Sequence, residues 1–347
     1  MTRPPTNEQT PEGLARTLCH AGIFDDPSPS IEPAGDGNIN WVRRLRSRRS
    51  GQAVIVKHAR PALEKFPEYT TSTERIVFEN RYFELARAVD DASVCPQILY
   101  FDEQKRILVL EDLGDAERLD VALLRSADVG PALLAIARFL GRVHRATLGD
   151  PTLVIRFANG DIQRLHGDHI FALPYRNDGF PVPPGVEARA HAVRKNGEIS
   201  AIAARAYSRY LEPQGALVHA DVQPGNILLQ AAGPVLLDAE IAHVGDPAFD
   251  VGTLLAHLWL ARIATQPADD PIRQTTRIWE SYLAEAGSEA PYFASVARYA
   301  GLEMMRRTIG AARVSAVETA EASLEAIDAA ERLILAPPET ATELSIP

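Results

Sequence analysis

Hydrophobic and polar positions along this 347-residue chain change their period in a definite order. Residues 1–10 are polar and proline-rich and read as a frayed end. A helical spacing (Leu14, Leu18, Ile23) follows and is broken by the three prolines between Asp25 and Pro33. Strand-like runs come next: Ile31 to Pro33, Trp41 to Arg46, and AVIVK ending at Lys57. They are separated by GDGNIN (Gly35 to Asn40) and a basic turn around Arg48 to Gly51. TERIVFENRYFELARAV restores the helical period, with Ile76, Phe78, Tyr82, Phe83, Leu85 and Ala86 forming its apolar side. Two more strands are expected, Gln97 to Asp102 and Arg106 to Leu110, and the remainder reads mainly helical. Pro131 to Thr147 predicts a core helix, residues 150–186 an irregular insertion able to serve as a lid or as packing, and Glu187 to Leu211 one helix with Ala-rich faces. TLLAHLWLARIA is apolar almost throughout, as a buried helix is, and the residues beyond 335 read as a loose tail. The expectation is an α+β chain with a small antiparallel-sheet lobe (1–113), a larger mainly helical lobe (114–335) and a tail (336–347).

The chemistry concentrates in HADVQPGN, His219 to Asn226. Apolar residues precede it (Ala216, Leu217, Val218), loop formers sit within it (Gln223, Pro224, Gly225), and a strand-like run follows (Ile227 to Leu229). A further strand, Val235 to Leu237, delivers Asp238 and Glu240. Acid, asparagine and acid at this spacing describe a phosphoryl-transfer site, with Asp221 orienting a substrate hydroxyl and Asn226 and Asp238 holding magnesium. The bland alternative is a polar turn with capping carboxylates. Glycines at 35 and 37 allow backbone amides close to phosphate oxygens, although hairpin turns use the same residues. Lys57 is either a solvated strand end or a phosphate ligand aimed by a glutamate on the following helix. Glu79, among apolar neighbours, suits that pairing best, with Glu74 and Glu84 as the other choices. Glu111 and Leu113, at the end of an apolar strand, mark either an adenine-reading segment or an ordinary acidic strand end. Asp250 is expected to cap the following helix and brace the His219–Asn226 loop, and His144 to be a structural or capping histidine. Arg306 and Arg307 are adjacent, about 100° apart on a helix, and read as surface charge or as cations facing a cleft.

Composition narrows the partners. Thirty-six basic against 46 acidic residues give a formal charge of −10, which argues against nucleic acid or an anionic membrane. No run approaches the ~20 apolar residues of a membrane span, and MTRPPTNEQT lacks a signal-peptide core, so the cytoplasm is the expected compartment. Cys19 and Cys95 have no metal-ligand spacing and read as free thiols.

Taken together, GDGNIN, VIVKHARP, TERIVFEN, LVLEDL, FANGDIQRLHGDHIFALPY, HADVQPGN, DAE, GDPAFDVG and MMRRTIGAARV resemble, in order, the motifs of the methylthioribose kinases. These belong to the aminoglycoside-phosphotransferase and choline-kinase class of protein-kinase-like folds, and the likeness runs over residues 30–315. The resemblance implies Asp221 as the hydroxyl-orienting base, Asp238 and Glu240 as magnesium ligands, Lys57 on the phosphates, and Gly35, Asp36, Gly37 and Asn38 in the covering loop. It also moves Arg306 and Arg307 into the substrate site, where they meet charge on the transferring phosphoryl. ATP and Mg2+ are the implied cofactors, the anomeric hydroxyl of 5-methylthioribose the implied acceptor, and a homodimer the implied assembly. Three departures stand out: Ala220 where the family has glycine, Asn226 where it has serine, and Pro67, Glu68 and Tyr69 where a tryptophan is expected. They bear on the acceptor and leave an aminoglycoside, amino-alcohol or other sugar phosphotransferase as the alternative, with a non-catalytic nucleotide-binding protein as the alternative of another class.

Overall fold

The computed structural model describes residues 10–34, 40–61, 71–90, 94–176, 180–267 and 270–345. Two units are distinguished: residues up to Glu84 with Pro96–Asp115, and Leu85–Cys95 with the residues from Ala116 onward. The first contains helix α1 (Pro11–His20), strands β1 (Ser30–Pro33), β2 (Trp41–Arg46) and β3 (Ala53–His58), most of α2 (Arg75–Val89), β4 (Ile98–Asp102) and β5 (Ile107–Glu111). Its five strands form one antiparallel sheet in the order β1-β2-β3-β5-β4. Alternation along β3 puts Val54 and Val56 on one face, where they join Leu14, Leu18, Trp41, Leu45, Ile107 and Val109 in a core under α1. Lys57 points to the opposite face, from the middle of the sheet, with Val42 and Leu108 as its neighbours across the strands. Thr10 starts α1 by accepting from the Gly13 amide at 3.1 Å, ahead of a first-turn proline.

The second unit is mainly helical. It holds β6 (Glu117–Arg118), α3 (Leu119–Leu124), α4 (Gly130–Thr147), α5 (Pro151–Arg156), α6 (Gly160–Gly167), α7 (Glu187–Lys195) and α8 (Gly197–Leu211). Then come β7 (Ala216–Val218), β8 (Ile227–Gln230), β9 (Gly233–Leu236), β10 (His243–Gly245), α9 (Ala248–Thr265), α10 (Pro271–Ala286), α11 (Phe293–Ile309) and α12 (Ala320–Leu335). Two small antiparallel sheets, β10-β7 and β6-β8-β9, carry the loops of interest. The apolar α9 is buried from Ala248 to Ile263. Two glycines let backbones touch around it: a Cβ on Gly252 would meet the Val296 carbonyl of α11 at 2.8 Å, and one on Gly301 the Ala330 carbonyl of α12 at 2.9 Å. Among the described residues no helix is long and apolar enough to cross a membrane. Cys19 and Cys95 are free, and burial pushes the Cys95 thiol far up, so it is inert packing.

Four local expectations are corrected. Residues 150–186 are not simply irregular: Asp150 caps α5, α6 follows, and a π turn over Asp168–Ala172 leads into a 3-10 turn at Leu173–Tyr175. Glu187 to Leu211 is two helices, because Asn196 leaves the helical conformation and its side chain accepts from the Glu198 and Ile199 amides to start α8. Asp250 lies inside the first turn of α9, and the side chain that accepts from a first-turn amide there is Asp246, from Ala248 at 3.0 Å. The C-terminal segment is not loose in its described part, since a capping box joins Thr340 and Glu343 and both Ala341 and Leu344 are buried.

Candidate active site

In the first unit, β3 and α2 bring Lys57 and Glu79 together. Lys57 Nζ lies 2.6 Å from Glu79 Oε1, with the side chains 5% and 0% exposed. A buried ion pair adds little net stability over an apolar pair of the same volume, so its presence points to function. Glu74 is instead paired with Arg106. Glu111 ends β5 with Oε1 accepting from the Gln97 amide at 2.7 Å, and Leu113 is half-buried beyond it. Gly35, Asp36, Gly37 and Asn38 lie outside the described residues, as do Pro67, Glu68 and Tyr69.

In the second unit the His219–Asn226 loop connects β7 to β8 and is fixed from below. Asp250 accepts from the His219 and Ala220 amides, each at 2.8 Å. His144 Nε2 stands 3.2 Å from the same carboxylate, and its Nδ1 is 3.1 Å from the Tyr282 hydroxyl. Burial alone would raise the Asp250 pKa, yet these bonds hold it below the usual carboxylate range. The expected bracing role of Asp250, and a structural one for His144, follow from this geometry. His219 accepts the Asp221 amide on Nδ1 at 3.2 Å, which places its proton on Nε2.

Two residues of this loop system are strained. Ala220 has φ +67° and Asp238 φ +62°, in the left-handed region. For alanine that costs about 1–2 kcal/mol, a cost that persists only where surroundings over-determine the conformation. Ala220→Gly should therefore raise the melting temperature or leave it unchanged, with activity retained. A clear fall in melting temperature would show that the methyl group packs more favourably than the strain costs.

The Asp221 carboxylate is held by two amides: Asn226 Nδ2 donates to its Oδ2 at 2.7 Å and Gln223 Nε2 at 3.0 Å. Gln223 Oε1 in turn accepts from Arg307 Nη2 at 2.9 Å. Arg306 and Arg307 are 8% and 4% exposed, so the surface-charge reading of the pair is excluded. Both pair with Glu303, one turn earlier on α11, which offsets one of their two charges: Arg307 Nε donates to its Oε1 at 2.6 Å and Arg306 Nη1 to its Oε2 at 3.2 Å. Burial pushes the Glu303 pKa up, but the two guanidiniums overcome this and hold it well below the usual range. His166 is kept neutral by burial and by Arg306. It accepts from Arg306 Nη1 at 3.1 Å and so donates from Nδ1 to Tyr210 at 3.0 Å.

Asp238 follows β9 half-buried, and Glu240 is 8% exposed. The turn carrying Glu240 is pinned by Asn159, whose Nδ2 donates to the Glu240 and Ala242 carbonyls at 2.8 and 3.2 Å. Sequence reasoning missed Glu303, Gln223 and Asn159 as site-building residues. Glu303 carried a signal, because glutamate with arginines at i+3 and i+4 is a helical ion-pair pattern. His243, opposite Val218 in the β10-β7 pair, has its pKa lowered to about 4 by burial. Its folded value lies below the unfolded ~6.5, so the unfolded state binds the proton first, and stability should fall by about 1.4 kcal/mol per pH unit between pH ~6.5 and ~4 from this group alone. Urea unfolding at pH 7, 6 and 5 measures this, and a flat profile would contradict it.

This arrangement has relatives. Residues 30–286 match the phosphotransferase enzyme family. The chain belongs to that family. Similar members include methylthioribose kinases of Pectobacterium carotovorum, 26% identical over 90% of this chain and 89% of that one, and of Geobacillus kaustophilus, 26% identical over 86% and 84%. This phosphotransferase also shares its fold with solved structures. A choline kinase of Cryptosporidium parvum matches with TM-score 0.54 at 12% identity over 92% and 94% of the two chains. A spectinomycin phosphotransferase bound to ADP and spectinomycin gives 0.52 at 12% over 98% of each. The protein-kinase-like class expected from the motifs is thus the class observed: a phosphotransferase with a five-stranded antiparallel sheet and a larger helical unit.

Proposed function

We propose that this phosphotransferase moves the γ-phosphate of ATP to a hydroxyl of 5-methylthioribose, at its anomeric position, in the cytoplasm. The observation that carries the reading is the buried Arg306–Arg307–Glu303 cluster, linked through Gln223 to Asp221. Fixed cations beside a hydroxyl-orienting carboxylate suit a neutral sugar that gains a phosphate and disfavour cationic amino alcohols or aminoglycosides, which need acids there. The likeness to methylthioribose kinases over some nine-tenths of both chains supports the same acceptor.

In this reading Asp221 orients the acceptor hydroxyl and takes its proton as the hydroxyl oxygen bonds to the γ-phosphorus. The bond to the bridging oxygen breaks, and ADP leaves. Lys57, aimed by Glu79, holds the α and β phosphates. Glu111 and Leu113 serve the adenine. Arg306 and Arg307 meet the charge on the transferring group. The donor set fits magnesium: Asp238 and Glu240 supply hard carboxylate oxygens, and Asn226, with its nitrogen committed to Asp221, presents an amide oxygen. Among the described residues no group of three acidic, histidine or cysteine side chains is placed to hold a metal ion. Held by these oxygens, a magnesium ion would supply positive charge against the phosphates.

ADP release with methylthioribose, ribose, choline and spectinomycin as acceptors tests the proposal. Turnover confined to methylthioribose is expected. Preference for choline or spectinomycin would replace the acceptor while retaining the mechanism. Lys57→Met should lower kcat/KM for ATP about a hundredfold, as loss of a preorganised cation does.

A further inference from the structure

We infer that Gln223 is a positioning residue of the transfer reaction, tying the Asp221 carboxylate to the buried Arg307 anchor so that one carboxylate oxygen is presented to the acceptor. The inference rests on the reading of Asp221 just given. Gln223 is used at both ends of its amide, with Nε2 on Asp221 Oδ2 at 3.0 Å and Oε1 on Arg307 Nη2 at 2.9 Å. Asn226 also donates to Oδ2, so both amides restrain the same oxygen and Oδ1 is left to meet a hydroxyl.

The far end of the link is immobile. Arg307 is fixed at three points, Nε on Glu303, Nη1 on the Ala312 carbonyl at 3.1 Å and Nη2 on Gln223, and the guanidinium is planar. A group at position 223 must donate to a carboxylate and accept from a guanidinium at once. An amide does both, whereas a carboxylate cannot donate to Asp221 and a lysine cannot accept from Arg307. A neutral imidazole, with one N–H and one bare nitrogen, meets the same demand through two separate ring atoms. Without the link, Asp221 keeps its charge and its Asn226 bond and loses one of its two orienting contacts. Positioning accounts for much of the rate in phosphoryl transfer, and a shift of ~1 Å in a reacting group costs about a hundredfold.

Steady-state kinetics with ATP and methylthioribose on the full chain test this. Gln223→Leu keeps the volume and removes both hydrogen bonds, and Gln223→Glu keeps the shape and the Arg307 contact but turns the donor to Asp221 into a repelling charge. Both should lose about a hundredfold in kcat with KM for ATP within about twofold of wild type. Gln223→His should recover at least tenfold of that loss, a rescue that a purely packing role would not produce. Melting temperatures identify any variant that fails by unfolding, and Gln223→Glu stands in for Gln223→Leu should the latter do so. Wild-type kcat in either variant, a loss confined to KM, or no rescue by histidine overturns the inference and leaves the role of Asp221 standing. Absence of transfer by the wild type to every acceptor overturns the reading of Asp221 and this inference with it.

Discussion

Asp221→Ala should lower kcat about a thousandfold, the middle of the range for a positioned general base, while ATP affinity stays within about twofold. The expectation of selective loss comes from how the loop is built. Its backbone is set by Asp250 and His219, and neither depends on the Asp221 side chain. Removing the carboxylate therefore takes one acceptor from Asn226 and the Asp221 acceptor from Gln223 but does not release the loop. Asn226 keeps its second bond, Nδ2 to the Asp221 carbonyl at 3.0 Å. Isothermal titration with a non-hydrolysable ATP analogue separates binding from chemistry. Retained turnover in Asp221→Ala would remove this residue from the reaction, and a parallel collapse of nucleotide binding would assign it a structural role.

Glu303→Ala should be the most destabilising single change in the second unit. It strips the counter-charge from two buried guanidiniums, and breaking a buried ion pair by removing one partner costs about 3–5 kcal/mol. At 2–4 °C per kcal/mol for domains of this size, the melting temperature should fall by roughly 10 °C. The conservative Glu303→Gln keeps an acceptor for Arg307 and should lose less. The pH dependence has a definite sign. A carboxyl held below its unfolded value contributes stability that is complete above pH ~4.3 and is lost as pH falls through the depressed folded value. The alanine variant should show less acid sensitivity over that window than the wild type. A melting temperature within about 2 °C of wild type would mean that Arg306 and Arg307 find other partners, and the cluster would not be the anchor described here.

What the sequence revealed, and what it hid, follows from distance along the chain. Strand alternation and the helix of TERIVFENRYFELARAV are local patterns, and they place Lys57 and Glu79 22 residues apart on elements that meet. The Asp221 loop was legible because acid, asparagine and second acid lie within one strand-loop-strand unit. Gln223 and Arg307 are 84 residues apart, and Asn159 and Glu240 are 81 apart, so no local pattern announces either pair. α5 and α6 have six and eight residues, too few turns for a periodicity to emerge, and Asn196 splits a continuous helical pattern by changing one residue's backbone. The arginine pair shows the same limit from the other side. Its type suggests a solvated surface, whereas the fold encloses it with Glu303 on its own helix, His166 of α6 and Gln223 of the loop.

The central claim is that this phosphotransferase forms a phosphate ester on the sugar hydroxyl that Asp221 orients. Phosphorus NMR of wild-type protein with ATP, magnesium and methylthioribose tests it most directly. The account predicts one new phosphomonoester signal, coupled to the anomeric proton and growing in step with ADP, and no such signal with Asp221→Ala. ADP with free phosphate alone, or an ester that forms equally well in the Asp221→Ala protein, would contradict it.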